Sequence, residues 1–410
     1  MRVVLVADNA SARFGGEAFI PLNYFRLLRA RQIDVRLVVH ARNRAELVNF
    51  FPNDLDRLYF VDDTNLHKIL FRISNFIPRR LADATTGLLI HLTTQLAQRR
   101  VIYELAQRQR IDVVHQPIPV SPKLPSQMYE LGAPVIVGPL NGGMEYPPAI
   151  QKERGALSSA GLALGRAIAL LCNLLIPGKR FAQLIIVANA RTQRALPWGI
   201  QGHVVELVEN GVDLSIWERK PRDQSPGSVL RLIFIGRLID WKALEIVFAA
   251  VARARKQVAI RLEVIGDGPM RDAWQDLARQ MGIDSIIQFS GFLSQPDCAA
   301  RLQQADIFVL PSLFECGGSV VLEAMAVGLP VIATAWGGPL DYLDESCGIL
   351  VQPSSREALI DGFYEGILKL ANSPSLRNAM GQAGHERARQ YFDWERKIDK
   401  VLELYSSVIC

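Results

Sequence analysis

PSLFECGGSVVLEAMAVGLPVIAT, residues 311–334, is the stretch on which the reading of this 410-residue chain turns. It starts as the end of a β-strand and passes through the glycine turn Gly317-Gly318. A short helix follows, stopped at Gly328, and Pro330 leads into the next strand. Gly317, Gly318 and Ser319 at a helix start present bare backbone N–H groups to an anion, and the helix dipole adds to the attraction. Glu315 lies before the turn and Glu323 within the helix, eight residues on, so they are not a simple i,i+4 pair. An ionised carboxylate accepts hydrogen bonds from two hydroxyls at once, which suits sugar or ribose. Spacing alone leaves a second reading equally open, in which both acids are solvated helix-face residues around a tight turn.

Outward from this stretch, short β-branched runs alternate with longer helical patterns, the mark of parallel α/β domains. The first half carries such runs at 3–7, 34–40, 57–62, 112–116, 134–139 and 183–189. The second half carries them at 229–236, 261–266, 286–291, 306–311, 330–334 and 348–353. Each half has enough for its own doubly wound sheet. Asn210-Gly211 and the polar, proline-bearing RKPRDQSPGS mark the link between them. We expect an amino-terminal domain over 1–203, completed by a last helix over 394–410, and a carboxy-terminal domain over 204–393.

Residues 1–205 hold 25 Lys/Arg against 14 Asp/Glu, so the net charge of +5 hides a basic first half and an acidic second. A basic half suggests an anionic partner. The basic residues are scattered rather than interleaved with aromatics in a stripe, so nucleic acid is not expected. Five separated cysteines with no C-x-x-C pair argue against a disulfide framework or a zinc site, and suggest a reduced, cytoplasmic protein. MRVVLVADNA reads as a first strand rather than a signal peptide. The apolar stretch 156–176 has nearly the length of a membrane span, but Arg166 near its centre is costly in lipid. It reads either as a buried amphipathic helix or as one lying in a membrane interface, with Lys152, Arg154, Lys179 and Arg180 meeting anionic head groups. Peripheral contact with the inner membrane face through 156–180 is the expectation that follows.

The Glu-x7-Glu spacing within PS-x-x-E…LEAMA-x-G-x-PVIAT resembles the signature of the family-4 retaining glycosyltransferases. FIGRLIDWKALE (234–245), VIGDGPMR (264–271), FSGFLS (289–294), WGGPLDYL (336–343) and CGILVQP (347–353) fall in that family's order. The likeness is densest over about 205–355 and thinnest over 45–110. It implies the GT-B fold: two Rossmann-like doubly wound domains facing a central cleft. It further implies a nucleotide-sugar donor and transfer of a hexose-type sugar, with retention, to a saccharide, lipid-linked or polysaccharide acceptor.

Residue by residue, the resemblance implies that Arg237 and Lys242 clamp the diphosphate and that Glu323 binds the ribose. Glu315, with Gly317 and Gly318, would lie near the transferred sugar, and Phe292 would pack on the base. Gly236 and Gly266, with Gly15 and Gly16 of the first domain, would let backbone approach the diphosphate. His115 resembles a histidine that contacts the donor sugar. Ala243 departs from the pattern, because glycine commonly follows the clamp lysine. Asn141 and Glu145, in the Gly/Pro-rich loop 134–150, are candidates for acceptor hydroxyls. No metal or other cofactor is expected: fixed positive charge and helix N-termini would neutralise the leaving group. Asp62-Asp63 reads as adjacent acids rather than a metal pair. Two other classes share parts of this pattern. A GT-B sugar-nucleotide epimerase would need no acceptor. A dinucleotide oxidoreductase would need a third glycine where Arg271 stands.

Overall fold

The computed structural model describes residues 1–13, 16–76, 83–151, 168–169, 171–220 and 229–409. The chain divides into two compact units, Met1–Gly143 with Ala156–Glu209 and Ile398–Cys410, and Met144–Gly155 with Asn210–Lys397.

The first unit is built on seven parallel strands: β1 (Arg2–Ala7), β2 (Asp34–His40), β3 (Leu58–Val61), β4 (Val113–Gln116), β5 (Val135–Leu140), β6 (Leu184–Val187) and β7 (His203–Glu206). They lie in the order β3-β2-β1-β4-β5-β6-β7. VVLVA and VIVGPL are apolar without alternation because helices cover both faces of a parallel sheet. Accordingly Val3, Val4, Leu5 and Val6 are all fully buried, each such burial being favourable by roughly 1.5–3 kcal/mol. Helices α1 (Gly16–Ala30), α2 (Asn65–Ser74) and α3 (Leu88–Arg108) belong to this unit.

β7 was not expected. It pairs with β6 in parallel register, Leu184 opposite His203, and carries the unit to Glu209 rather than residue 203. The segment HVVE is short and only partly buried, an edge strand with little periodicity to find.

The second unit has six parallel strands: β8 (Leu230–Ile235), β9 (Ile260–Ile265), β10 (Ile287–Gly291), β11 (Ile307–Leu310), β12 (Val331–Thr334) and β13 (Gly348–Val351). Their order is β10-β9-β8-β11-β12-β13. Its helices include α4 (Leu244–Ala254), α5 (Arg271–Gln280) and α6 (Ser319–Ala326). Residues 144–155, expected with the first domain, count with this unit. The Trp336 indole N–H donates to the Glu145 carbonyl at 2.7 Å, and Tyr146 packs on Phe314 with ring centroids 5.1 Å apart.

Each sheet reverses its strand order once, between β1 and β4 in the first unit and between β8 and β11 in the second. Outside the carboxyl ends of such strand pairs, open α/β sheets bind their ligands.

Candidate nucleotide-sugar site

In the second unit the reversal point is lined by the residues that the sequence singles out. β8 ends at Ile235, so Gly236 and Arg237 emerge there, and β11 ends at Leu310, just before Glu315. Gly266 closes β9 with φ +129°, and a Cβ there would overlap the Gly236 carbonyl oxygen. Backbone can therefore meet backbone at this position only because the residue is glycine.

The loop after Arg237 makes a 3-10 turn over Asp240–Lys242 and swings the lysine inward. Lys242 is paired to the carboxylate of Glu315, with only 11% and 14% of the two side chains exposed. The pair joins the loops after β8 and β11 and fixes the ammonium at the reversal point. Removing one partner of so enclosed a pair leaves an uncompensated charge. Arg237 is exposed and has no ion pair among the described residues, which leaves its planar fork of donors open to an anion.

The glycine turn holds Glu315 from below. Gly318, the N-cap of α6, has φ +89°, and a Cβ on it would stand 3.0 Å from the Glu315 Cγ. The Gly338 N–H donates to the Glu315 carbonyl at 2.7 Å, and a side chain on Gly338 would overlap the Gly317 carbonyl. WGGP and ECGG are thus two interlocked loops, and glycine is required where they touch. Ala243 occupies the left-handed region at φ +50°, a conformation that a Cβ disfavours.

Glu323 lies one turn into α6. Burial pushes its pKa up to about 7, against a hydrogen bond from Ser319 that works the other way. It therefore changes charge near neutrality, unlike an ordinary surface glutamate. Phe292, just after the edge strand β10, is 81% exposed.

In the first unit the candidate residues lie apart from one another. Gly15 and residues 152–167 and 170 lie outside the described residues. Gly16 opens α1 with nothing within 4 Å of where a Cβ would stand, so packing does not require glycine there. His115 is fully buried. Its Nδ1 is hydrogen-bonded with the Tyr405 hydroxyl at 2.6 Å and its Nε2 with the Gly138 carbonyl, and burial pushes its pKa down to about 4. The structure thus makes it a neutral core residue, a correction to the donor-sugar reading. Asn141 is likewise enclosed against Thr192, and only Glu145 of the two acceptor candidates is exposed. Lys179, expected at a membrane surface, is buried instead; its ammonium donates to the Ser121 carbonyl at 2.9 Å, and burial pushes its pKa down to about 7.

Sequence reasoning missed a polar cluster at the β1/β4 reversal point. Asp8, directly past β1, is bonded to His91 on α3. Burial works against charge on His91, but the Asp8 carboxylate outweighs it and raises the pKa. Oδ1 of Asp8 and Oδ1 of Asn9 are buried and have no hydrogen-bond partner among the described residues. Glu17 accepts the Val120 N–H at 2.8 Å. The end of a first strand at a reversal point was the available signal; the histidine comes from a distant helix and had none.

Two groups of possible ligands bear on metal binding. His40, Asp63 and His67 converge at the ends of β2 and β3. However, Nδ1 of His40 accepts the Arg42 N–H and Nδ1 of His67 accepts the Thr64 N–H. Both rings then carry their proton on Nε2, facing Asp63 and Thr94. A metal-bound histidine has the opposite arrangement, donating from its outer nitrogen. Asp54-Leu55-Asp56 is an Asp-x-Asp pattern, and its Asp54 is occupied by Arg29 at 2.7 Å.

Residues 215–387 match the family described as Glycosyl transferases group 1. Every second-unit residue named above from Gly236 to Gly338 falls inside that stretch. Among curated proteins, the D-inositol 3-phosphate glycosyltransferase of Kribbella flavida is 32% identical over 227 residues, 51% of this chain and 52% of its own. The lipopolysaccharide core biosynthesis glycosyltransferase LpsE of Rhizobium meliloti is 31% identical over 184 residues, 45% and 52% of the respective chains. The chain spans about half the length of the curated relatives it matches.

Among solved structures, HepE of Anabaena in complex with UDP covers 99% of this chain and 100% of its own, at a TM-score of 0.67 and 17% identity. WaaG, a glycosyltransferase involved in lipopolysaccharide biosynthesis, covers 98% and 99% at a TM-score of 0.62 and 15% identity. At such identities the likeness is one of fold, and the fold is GT-B.

Proposed function

We propose that the chain is a retaining glycosyltransferase that moves a hexose-type sugar from a nucleotide sugar to a saccharide, lipid-linked or polysaccharide acceptor. The observation that carries the proposal is the Lys242–Glu315 pair beside the open Arg237 at the β8/β11 reversal point, inside the stretch that matches the family. HepE has been solved with UDP and with UDP-glucose, which favours a donor of that kind.

In this reading Arg237 and Lys242 receive the diphosphate, and their fixed charges stabilise the leaving group as negative charge develops on it. Glu315 holds the lysine in place and accepts from hydroxyls of the transferred sugar, beside the N–H groups of Gly317 and Gly318. Glu323 accepts from the ribose and Phe292 stacks on the base. A leaving phosphate oxygen takes the acceptor proton on the same face, so retention requires no protein nucleophile and no metal. The acceptor binds the first unit, whose half of the sequence is basic. We place the protein in the cytoplasm. Among the described residues, no helix is long and apolar enough to cross a membrane.

Incubation with an α-configured nucleotide sugar and an oligosaccharide acceptor, followed by NMR of the anomeric proton, tests this. An α-linked product is expected. A β-linked product, or sugar release with the same rate whether or not acceptor is present, contradicts it.

A further inference from the structure

Lys242 fixes the carboxylate of Glu315, and the backbone around Glu315 is fixed by a separate segment, residues 144–147. Three contacts do this. The Trp336 indole N–H donates to the Glu145 carbonyl at 2.7 Å. Tyr146 packs on Phe314, the residue before Glu315, with ring centroids 5.1 Å apart and planes inclined by 32°. Met144 is buried, and a Cβ built on Gly337 would stand 2.4 Å from its sulfur and 2.1 Å from the Glu315 carbonyl oxygen. That sulfur and that oxygen therefore flank one glycine, which has φ +70°. The next amide, the Gly338 N–H, donates to the same oxygen at 2.7 Å.

The chemistry of each contact is directional. Indole has a single N–H and can only donate, so Trp336 sets both the distance and the angle of the segment. Pro147 confines the backbone of Tyr146 to extended conformations, and an aromatic pair such as Tyr146 with Phe314 contributes beyond the area it buries. These three contacts fall on 314 and on 336–337, the loops that surround Glu315, rather than on the sheet.

We infer that residues 144–147 are a clasp that sets the position of Glu315 against the transferred sugar, with Trp336 and Tyr146 as positioning residues. The inference rests on the proposed transferase reading. A group that must meet a substrate productively has to be held to within about half an ångström. Loops with glycine at 317, 318, 337 and 338 have little stiffness of their own, and the clasp supplies it. Arg237 stands on the loop after β8 and Glu323 on α6, so loosening the clasp displaces the sugar and leaves nucleotide binding in place.

Trp336→Phe removes the indole N–H, and Tyr146→Ala removes the ring. Hydrogen exchange of the full chain without ligand, read by mass spectrometry, tests the clasp itself. Exchange over 313–318 should rise about tenfold in each variant while β11 and β12 stay protected. Steady-state kinetics with UDP-, GDP- and ADP-glucose test its use. In both variants kcat should fall about tenfold with KM held within about twofold. Tyr146→Phe, which keeps the ring on Phe314, should restore most of the turnover. Unchanged exchange in both variants overturns the clasp. Faster exchange with unaltered kcat overturns the positioning role, and so does a loss of nucleotide affinity as large as the loss of turnover, which marks general loosening. If the wild type turns over none of the three sugars, the transferase reading fails and the positioning role with it, while exchange still decides the clasp.

Discussion

Glu323 changes charge in the range where most enzymes work, and this has two consequences with definite signs. Its folded pKa, about 7, lies above the unfolded value of 4.5. The folded state therefore holds the proton more tightly between these limits, and the contribution of this group to stability falls as pH rises from 4.5 through 7. Glu323→Gln should flatten that part of a pH–stability curve, measured by thermal unfolding. Nucleotide affinity should move the other way, rising between pH 6 and 8 as the carboxylate forms, and this rise should vanish in the same variant. Lys242 and Glu315 give a second test at this scale. Lys242→Met leaves a largely enclosed carboxylate unpaired and should cost roughly 3 kcal/mol. Adding Glu315→Gln should recover part of the loss, and additive losses in urea unfolding would show that the two are not coupled. The carboxylates and cations were visible in the sequence as types at a spacing. Their direct pairing was not, because residues 242 and 315 are brought together only by the order of β8 and β11.

At the level of elements, the alternation of strands and helices was legible because buried parallel strands are nearly continuous apolar runs. The short edge strand β7 and the assignment of 144–155 were not, since each depends on a neighbour rather than on its own periodicity. His115 shows the same limit. Its place at the end of β4 was readable, but whether its ring faces a ligand or Tyr405 is decided by the last helix, far away in sequence. Loop geometry yields an opposed pair of expectations. Ala243→Gly should relieve a left-handed alanine and stabilise the protein by about 1 kcal/mol. Gly266→Ala forces a Cβ onto the Gly236 carbonyl at positive φ, and should destabilise by more than about 2 kcal/mol and weaken donor binding. Both are read from unfolding midpoints, and a neutral Gly266→Ala would mean that the β8 and β9 ends are not in such close approach.

For the whole molecule, the basic charge of the first half and the acidic charge of the second were plain from the sequence. The central claim is that one nucleotide-sugar site sits at the β8/β11 reversal point, with Arg237 on the diphosphate and Glu323 on the ribose. Titration calorimetry with UDP-, GDP- and ADP-glucose on wild type, Arg237→Ala and Glu323→Ala tests it most directly. One of the three should bind the wild type, and each substitution should weaken it about tenfold or more, the loss expected for a charge-assisted hydrogen bond. Unchanged binding in both variants, or no binding of any of the three to the wild type, would contradict it.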